Sequence, residues 1–155
     1  MQEEFIQSLS SLLDRDLAKL GEEISLYKEE ADLWTIRGEI KNSAGNLCLH
    51  LCGNLQHFIG AVLGKTGYAR DRENEFAAKG VPQSQLIELV KTTSEALSST
   101  LQNLSETDLK ATYPIEVFGK PMTTLHFLIH LQGHLNYHLG QVNYHRRLVA
   151  NREGG

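Results

Sequence analysis

Five of the chain's seven histidines fall in the run TLHFLIHLQGHLNYHLGQVNYHRRL, residues 124–148, and four of them, His126, His130, His134 and His138, recur at every fourth position. An α-helix advances about 100° per residue, so successive members of such a ladder sit one turn apart and drift only about 40° sideways. Neighbouring imidazoles therefore point at the same object. Gln141 lies on this face too, and His145 follows it. Leu128, Ile129, Leu131, Leu135, Leu139 and Val142 cover much of the remaining circumference, which predicts a helix buried on most sides.

Two explanations compete for a histidine stripe on a buried helix. A single core-facing histidine commonly hydrogen-bonds to backbone or carboxylate on a neighbouring helix. A pair at i and i+4 chelates a metal, because neutral imidazole is a ligand for zinc, copper, nickel and iron. A ladder of four favours the metal, with His134 and His138 as its central pair. Two ligands from one helix leave the coordination shell incomplete, so a third must come from elsewhere. The stretch AGNLCLHLCGNLQHFIGAVL offers it: His50, Asn54, His57 and Ala61 follow an i, i+4, i+7, i+11 pattern, so either His50 or His57 can face the pair. Three neutral imidazoles with an open position are a catalytic arrangement more than a closed structural one. No G-x-S-x-G elbow, phosphate-binding glycine loop or E-x-x-H pattern of di-iron bundles occurs. Cys48 and Cys52 lie about 160° around the helix from His50 and read as small packing residues.

The elements that must position these residues are helical. With 155 residues the chain is sized for one domain over 1–155, and a formal charge of -4 with scattered basic residues argues against nucleic acid as a partner. The N-terminus has no basic start or apolar core of a secretory signal, and no apolar run reaches the length of a membrane span, so the expectation is a cytoplasmic protein with no membrane partner. Phe5, Leu9, Leu12, Leu13, Leu17, Leu20 and Ile24 mark a first amphipathic helix. Residues 28–41 then form a long connection across the end of a bundle. Asn42 or Ser43 caps a second helix that stops at Gly64. The charged loop KTGYARDRENEFAAKGVP, with a helical turn around residues 72–77, leads to a third helix carrying Leu86, Val90, Leu97 and Leu101 inward. The stretch TYPIEVFGKPM reads as a short β hairpin or strap, and Thr123 or Thr124 caps the histidine helix. The fold class is all-α, a four-helix bundle with a long helix 1–2 crossover.

His50 followed by Asn54, Phe58 and a helix-ending Gly64, and later HLNYHLGQ with His134, His138, Gly140 and Gln141, resemble the DinB-like superfamily of metal-binding four-helix bundles. Within it, NSAGNLCLHLCGNLQHF and RDRENEF are similar to a subgroup of unknown function. The resemblance spans residues 34–147. It implies that His50, His134 and His138 are the metal ligands, with zinc, nickel or iron as the divalent ion. It also implies an enzyme acting on a small-molecule substrate, most readily a thiol-dependent S-transferase using a low-molecular-weight thiol, with metal-dependent hydrolysis as the alternative. Leu139 stands where the family often has Arg, so that arginine's role does not carry over. His57, His130 and Gln141 are candidates to orient the site or move protons, and Arg70 and Arg72 to hold an anionic substrate if their loop covers the mouth. A non-catalytic metal- or ligand-binding bundle, acting as a homodimer through apolar helix faces, is the reading of a different class.

Overall fold

In the computed structural model, which describes residues 1–150, the chain runs through α1 (Gln2–Ser25), α2 (Ala44–Leu55), α3 (Arg72–Ala77), α4 (Gln83–Leu101), α5 (Glu106–Lys110) and α6 (Thr124–Ala150). Helices α3 and α5 are short; the other four form the bundle. Helices α2, α5 and α6 start where side chains satisfy the orphan amides of a first turn. Ser43 accepts from the Asn46 amide at 3.2 Å, Thr123 accepts from the His126 amide at 3.1 Å, and Ser105 with Asp108 makes a reciprocal capping box on α5. The core joins Leu13, Leu17, Leu20 and Ile24 of α1 to Leu51 and Leu55 of α2, Leu86 and Leu97 of α4, and Phe127, Leu131 and Leu135 of α6. Each such side chain contributes roughly 1.5–3 kcal/mol on burial.

Polar contacts between helices set their directions. Asp16 accepts from Gln132 and Asn136, and Glu23 from Asn143 and Arg146, so α1 and α6 run parallel. Asp14 accepts from Ser94 and Ser98 while Gln83 reaches the carbonyls of Ile24 and Tyr27, which makes α4 antiparallel to α1. His50 meets His134, and Phe58 meets Phe127, so α2 is antiparallel to α6. Helices α1 and α2 both pack on α4 and α6, standing diagonally opposite one another. The connection after α1 therefore crosses the bundle's end, as its length predicts, and Trp34 of its 3-10 turn (Glu30–Trp34) packs where Gly45 lacks a side chain.

Two expectations are corrected. Residues 112–123 contain no hairpin: among the described residues the single antiparallel bridge joins Thr112 to Thr123, and no strand extends it. Pro114 and Pro121 withhold amide donors there, so the segment closes as a strap. The second helix also does not hold one period to Gly64. Beyond Leu55 it widens into a π-helical turn, Gln56–Ala61, which shifts everything after it. No helix among the described residues is long and apolar enough to cross a membrane.

Candidate metal centre

Helix α2 is buried nearly throughout, and His50 is held in it at 7% exposure. It faces His134 and His138, one turn apart on α6. One ligand nitrogen from each of the three lies within 4.8 Å of the others. His50 Nε2 and His134 Nε2 are 3.3 Å apart. Two nitrogens bound to one tetrahedral zinc at about 2.0–2.1 Å are separated by roughly 3.3 Å. The triplet thus has the dimensions of a shared ion, and these residues can hold a metal.

Their partners prepare them for it. His50 Nδ1 lies 3.1 Å from Glu75 Oε1, and His138 Nδ1 2.6 Å from Gln141 Oε1. Both oxygens accept, so each Nδ1 carries the proton and each Nε2 keeps its lone pair for a ligand. Burial pushes the His134 pKa down from 6.5 to about 4, with the neighbouring His138 and His50 adding to the shift. Burial also lowers His50, against the opposing pull of Glu75. Both rings are neutral at pH 7, as metal ligation requires. Among the described residues, the buried His134 Nδ1 and Asn54 Oδ1 have no hydrogen-bond partner.

Glu75 was not singled out by sequence reasoning, because it sits among alternating charges in RDRENEF and its target is far away in the chain. The fold buries it to 5% exposure. Arg70 forks its carboxylate through Nε at 2.8 Å and Nη2 at 2.9 Å, and the guanidinium lies over the Phe58 ring at 5.6 Å. Phe76 packs against the His50 ring with centroids 4.9 Å apart. Asn46 pins this loop to α2 by donating to the carbonyls of Glu75 and Ala78. Gly53 leaves the room: a Cβ there would overlap the Glu75 carboxylate. Three features of the sequence, a buried Asn, a helical Gly and an acid on the short α3, thereby serve one histidine.

The remaining candidates fall in different places. Gln141 is exposed and holds His138. His130 is exposed, stacked on Phe127, edge-on to Phe118 and 6.2 Å from the His134 ring. His57 stands in the π turn, half-buried against Phe58 and outside the triplet, and is lowered in pKa by burial. Arg72 is exposed over Phe76. His126 is exposed. His145 is a satisfied core histidine: the Tyr27 hydroxyl donates to its Nδ1 at 2.6 Å and its Nε2 donates to the Thr35 carbonyl at 2.8 Å.

A family model spanning residues 1–153 matches this chain. The chain belongs to the DUF1572 family, described as a protein of unknown function. A solved structure with the same fold is the conserved protein of a locus from Enterococcus faecalis, at 21% identity and a TM-score of 0.75, with 94% of this chain and 97% of that one covered. At that identity the likeness shows the bundle alone. Comparison with curated proteins gave no match. For this DUF1572 chain the chemistry must be argued from the three histidines.

Proposed function

We propose that this chain is a DinB-like metal-dependent enzyme in which His50, His134 and His138 hold a divalent zinc, nickel or iron ion, and that it transfers a low-molecular-weight thiol to an electrophilic small molecule. The observation that carries the reading is the 3.3 Å approach of two imidazole Nε2 atoms, one of them on a ring whose Nδ1 is committed to a buried carboxylate. The three neutral imidazoles would hold such an ion, which would supply the Lewis acidity that lowers the pKa of a thiol or a water toward neutrality.

This chain's residues do the rest. Glu75 fixes the His50 ring and its tautomer, and Arg70 fixes Glu75. Gln141 does the same for His138. Because both Glu75 oxygens are engaged by Arg70 and His50, that carboxylate is not free to take a proton from water, which weighs toward the thiol, the more acidic nucleophile. The thiol proton would pass to solvent through His130, the exposed imidazole whose ring lies 6.2 Å from that of His134, as the C–S bond forms and the electrophile's leaving group departs. Phe58 and Phe76 keep this side of the site apolar.

The test is a cobalt-substituted chain titrated with small thiols. Direct sulfur ligation adds charge-transfer absorption and supports the transferase; a spectrum that no thiol changes, together with turnover of an ester or amide, replaces it with the hydrolase.

A further inference from the structure

The outer face of α6 has a composition that nothing among the described residues explains. Ile129, Tyr137, Tyr144 and Leu148 are 55%, 66%, 73% and 46% exposed, large apolar groups in a row along one helix. Between them stand Gly133 and Gly140, both mid-helix, and a Cβ at either would meet nothing within 4 Å. Glycine weakens a helix interior relative to alanine. Elsewhere in the bundle a helical glycine makes room for a neighbour, as Gly45 does for Trp34 and Gly53 for Glu75. At 133 and 140 no neighbour stands among the described residues, which leaves the space open to one from outside the chain.

The order of the residues says which neighbour. Turn the stripe end for end against itself, and Ile129 falls opposite Leu148 of the partner subunit, Gly133 opposite Tyr144 of the partner subunit, and Tyr137 opposite Gly140 of the partner subunit. All three pairs share one midpoint, between His138 and Leu139. Each bulky side chain then meets an apolar or an absent one. That is the self-complementarity of an isologous two-fold contact, with small residues letting the backbones approach. A groove of about 260 Å³ already lies beside Gly140, lined by Lys19, Asn136, Leu139, Asn143 and Tyr144, where a tyrosine ring can seat.

We propose that the partner of this face is a second copy of the chain, packed antiparallel through α6 about a two-fold axis at residues 138–139. The apolar stripe supplies the larger part of the area a stable contact needs. Tyrosine side chains bury about 150–250 Å² each, so the four exposed apolar groups supply on the order of 500 Å² per protomer. A stable interface needs roughly 800 Å² per partner, and the flanking His130, Gln141 and Arg147 stand where they can supply the remainder. The contact also reaches the metal centre. Tyr137 meets the His138 ring edge-on at 5.3 Å, and exposed Gln141 holds that histidine's Nδ1. The second copy therefore covers the rim on which His138 stands.

The experiment is light scattering over the micromolar range on the full chain and on Gly133→Arg and Gly140→Arg, with circular dichroism to establish the fold. Both substitutions enter open space in the single chain, so helicity is expected to persist while the dimer's Kd rises on the order of 100-fold, the effect of disrupting an interface centre. A second variant, Tyr137→Cys with Gly140→Cys, tests the register: air oxidation links two chains through it, and buried Cys48 and Cys52 stay silent. A wild-type chain that is monomeric throughout the range overturns the proposal. So does a dimer that survives both arginines, or a cysteine pair that never links.

Discussion

Replacing Gly53 by alanine should do the opposite of what alanine does in an ordinary helix. In an exposed helix interior the change gains about 0.5–1 kcal/mol. Here the new Cβ would overlap the Glu75 carboxylate, lying 2.7 Å from its Cδ, so the carboxylate has to leave. With it go the bond to His50 Nδ1 and the two-pronged pair with Arg70. Breaking a buried pair costs about 3–5 kcal/mol, and setting the helical gain against it leaves a net loss of roughly 2–4 kcal/mol. For a chain of this size each kcal/mol moves Tm by about 2–4 °C. Loss of a carboxylate behind a ligating histidine also weakens metal affinity by about 10–100-fold. Calorimetry on the metal-free chain and metal titration of the same protein read both quantities. The decisive comparison is the double variant Gly53→Ala, Glu75→Ala, in which alanine at 53 should no longer destabilise relative to Glu75→Ala alone, since residues in contact are not additive. If Gly53→Ala is neutral or stabilising in the otherwise unaltered chain, Glu75 does not occupy the place assigned to it.

Other outcomes follow from the same contacts. In the metal-free chain the folded state resists protonating His134 until about pH 4, whereas the unfolded chain takes up that proton near the ordinary 6.5. The unfolded state binds more protons between these values, so the ring's contribution to stability is full above 6.5, declines as pH falls toward 4, and levels off below; urea titrations across that window should show a shallower decline in His134→Ala than in the unaltered chain, where His50, His57 and His145 add to it, and an equal decline would mean that the ring is solvated. Tyr27→Phe leaves His145 Nδ1 without its donor and should cost about 1–3 kcal/mol by chemical denaturation. Metal content should not change in that variant. His126→Ala should alter neither, since that ring is exposed and outside the triplet; a drop in metal stoichiometry on elemental analysis would mean that the ladder is used differently.

The bundle was legible because four amphipathic stretches keep a helical period long enough to outweigh local propensity. The ladder placed His134 and His138 together for the same reason, both nitrogens coming from one regular helix. The third imidazole was not separable by pattern alone: His50 and His57 share a stripe on an unbroken helix, and the fold brings His50 to the pair. Resemblance to DinB-like proteins, not periodicity, favoured His50. His145 looked like a continuation of the ladder, yet it lies far enough around α6 to serve Tyr27 and the Thr35 carbonyl. Glu75 was invisible because its partner is distant in sequence and its neighbours in RDRENEF have the composition of a solvated loop. The stretch before α6 misled through β-favouring residues whose hydrogen bonding the two prolines interrupt.

The central claim is that three imidazoles share one ion, and X-ray absorption on the metal-loaded chain tests it most directly. The expected spectrum has three nitrogen scatterers with imidazole outer shells at about 2.0–2.1 Å if the ion is zinc, from one ion per chain, and it collapses in His134→Ala. A sulfur shell, a coordination sphere without imidazole, or stoichiometric metal retained unchanged by His134→Ala would contradict it.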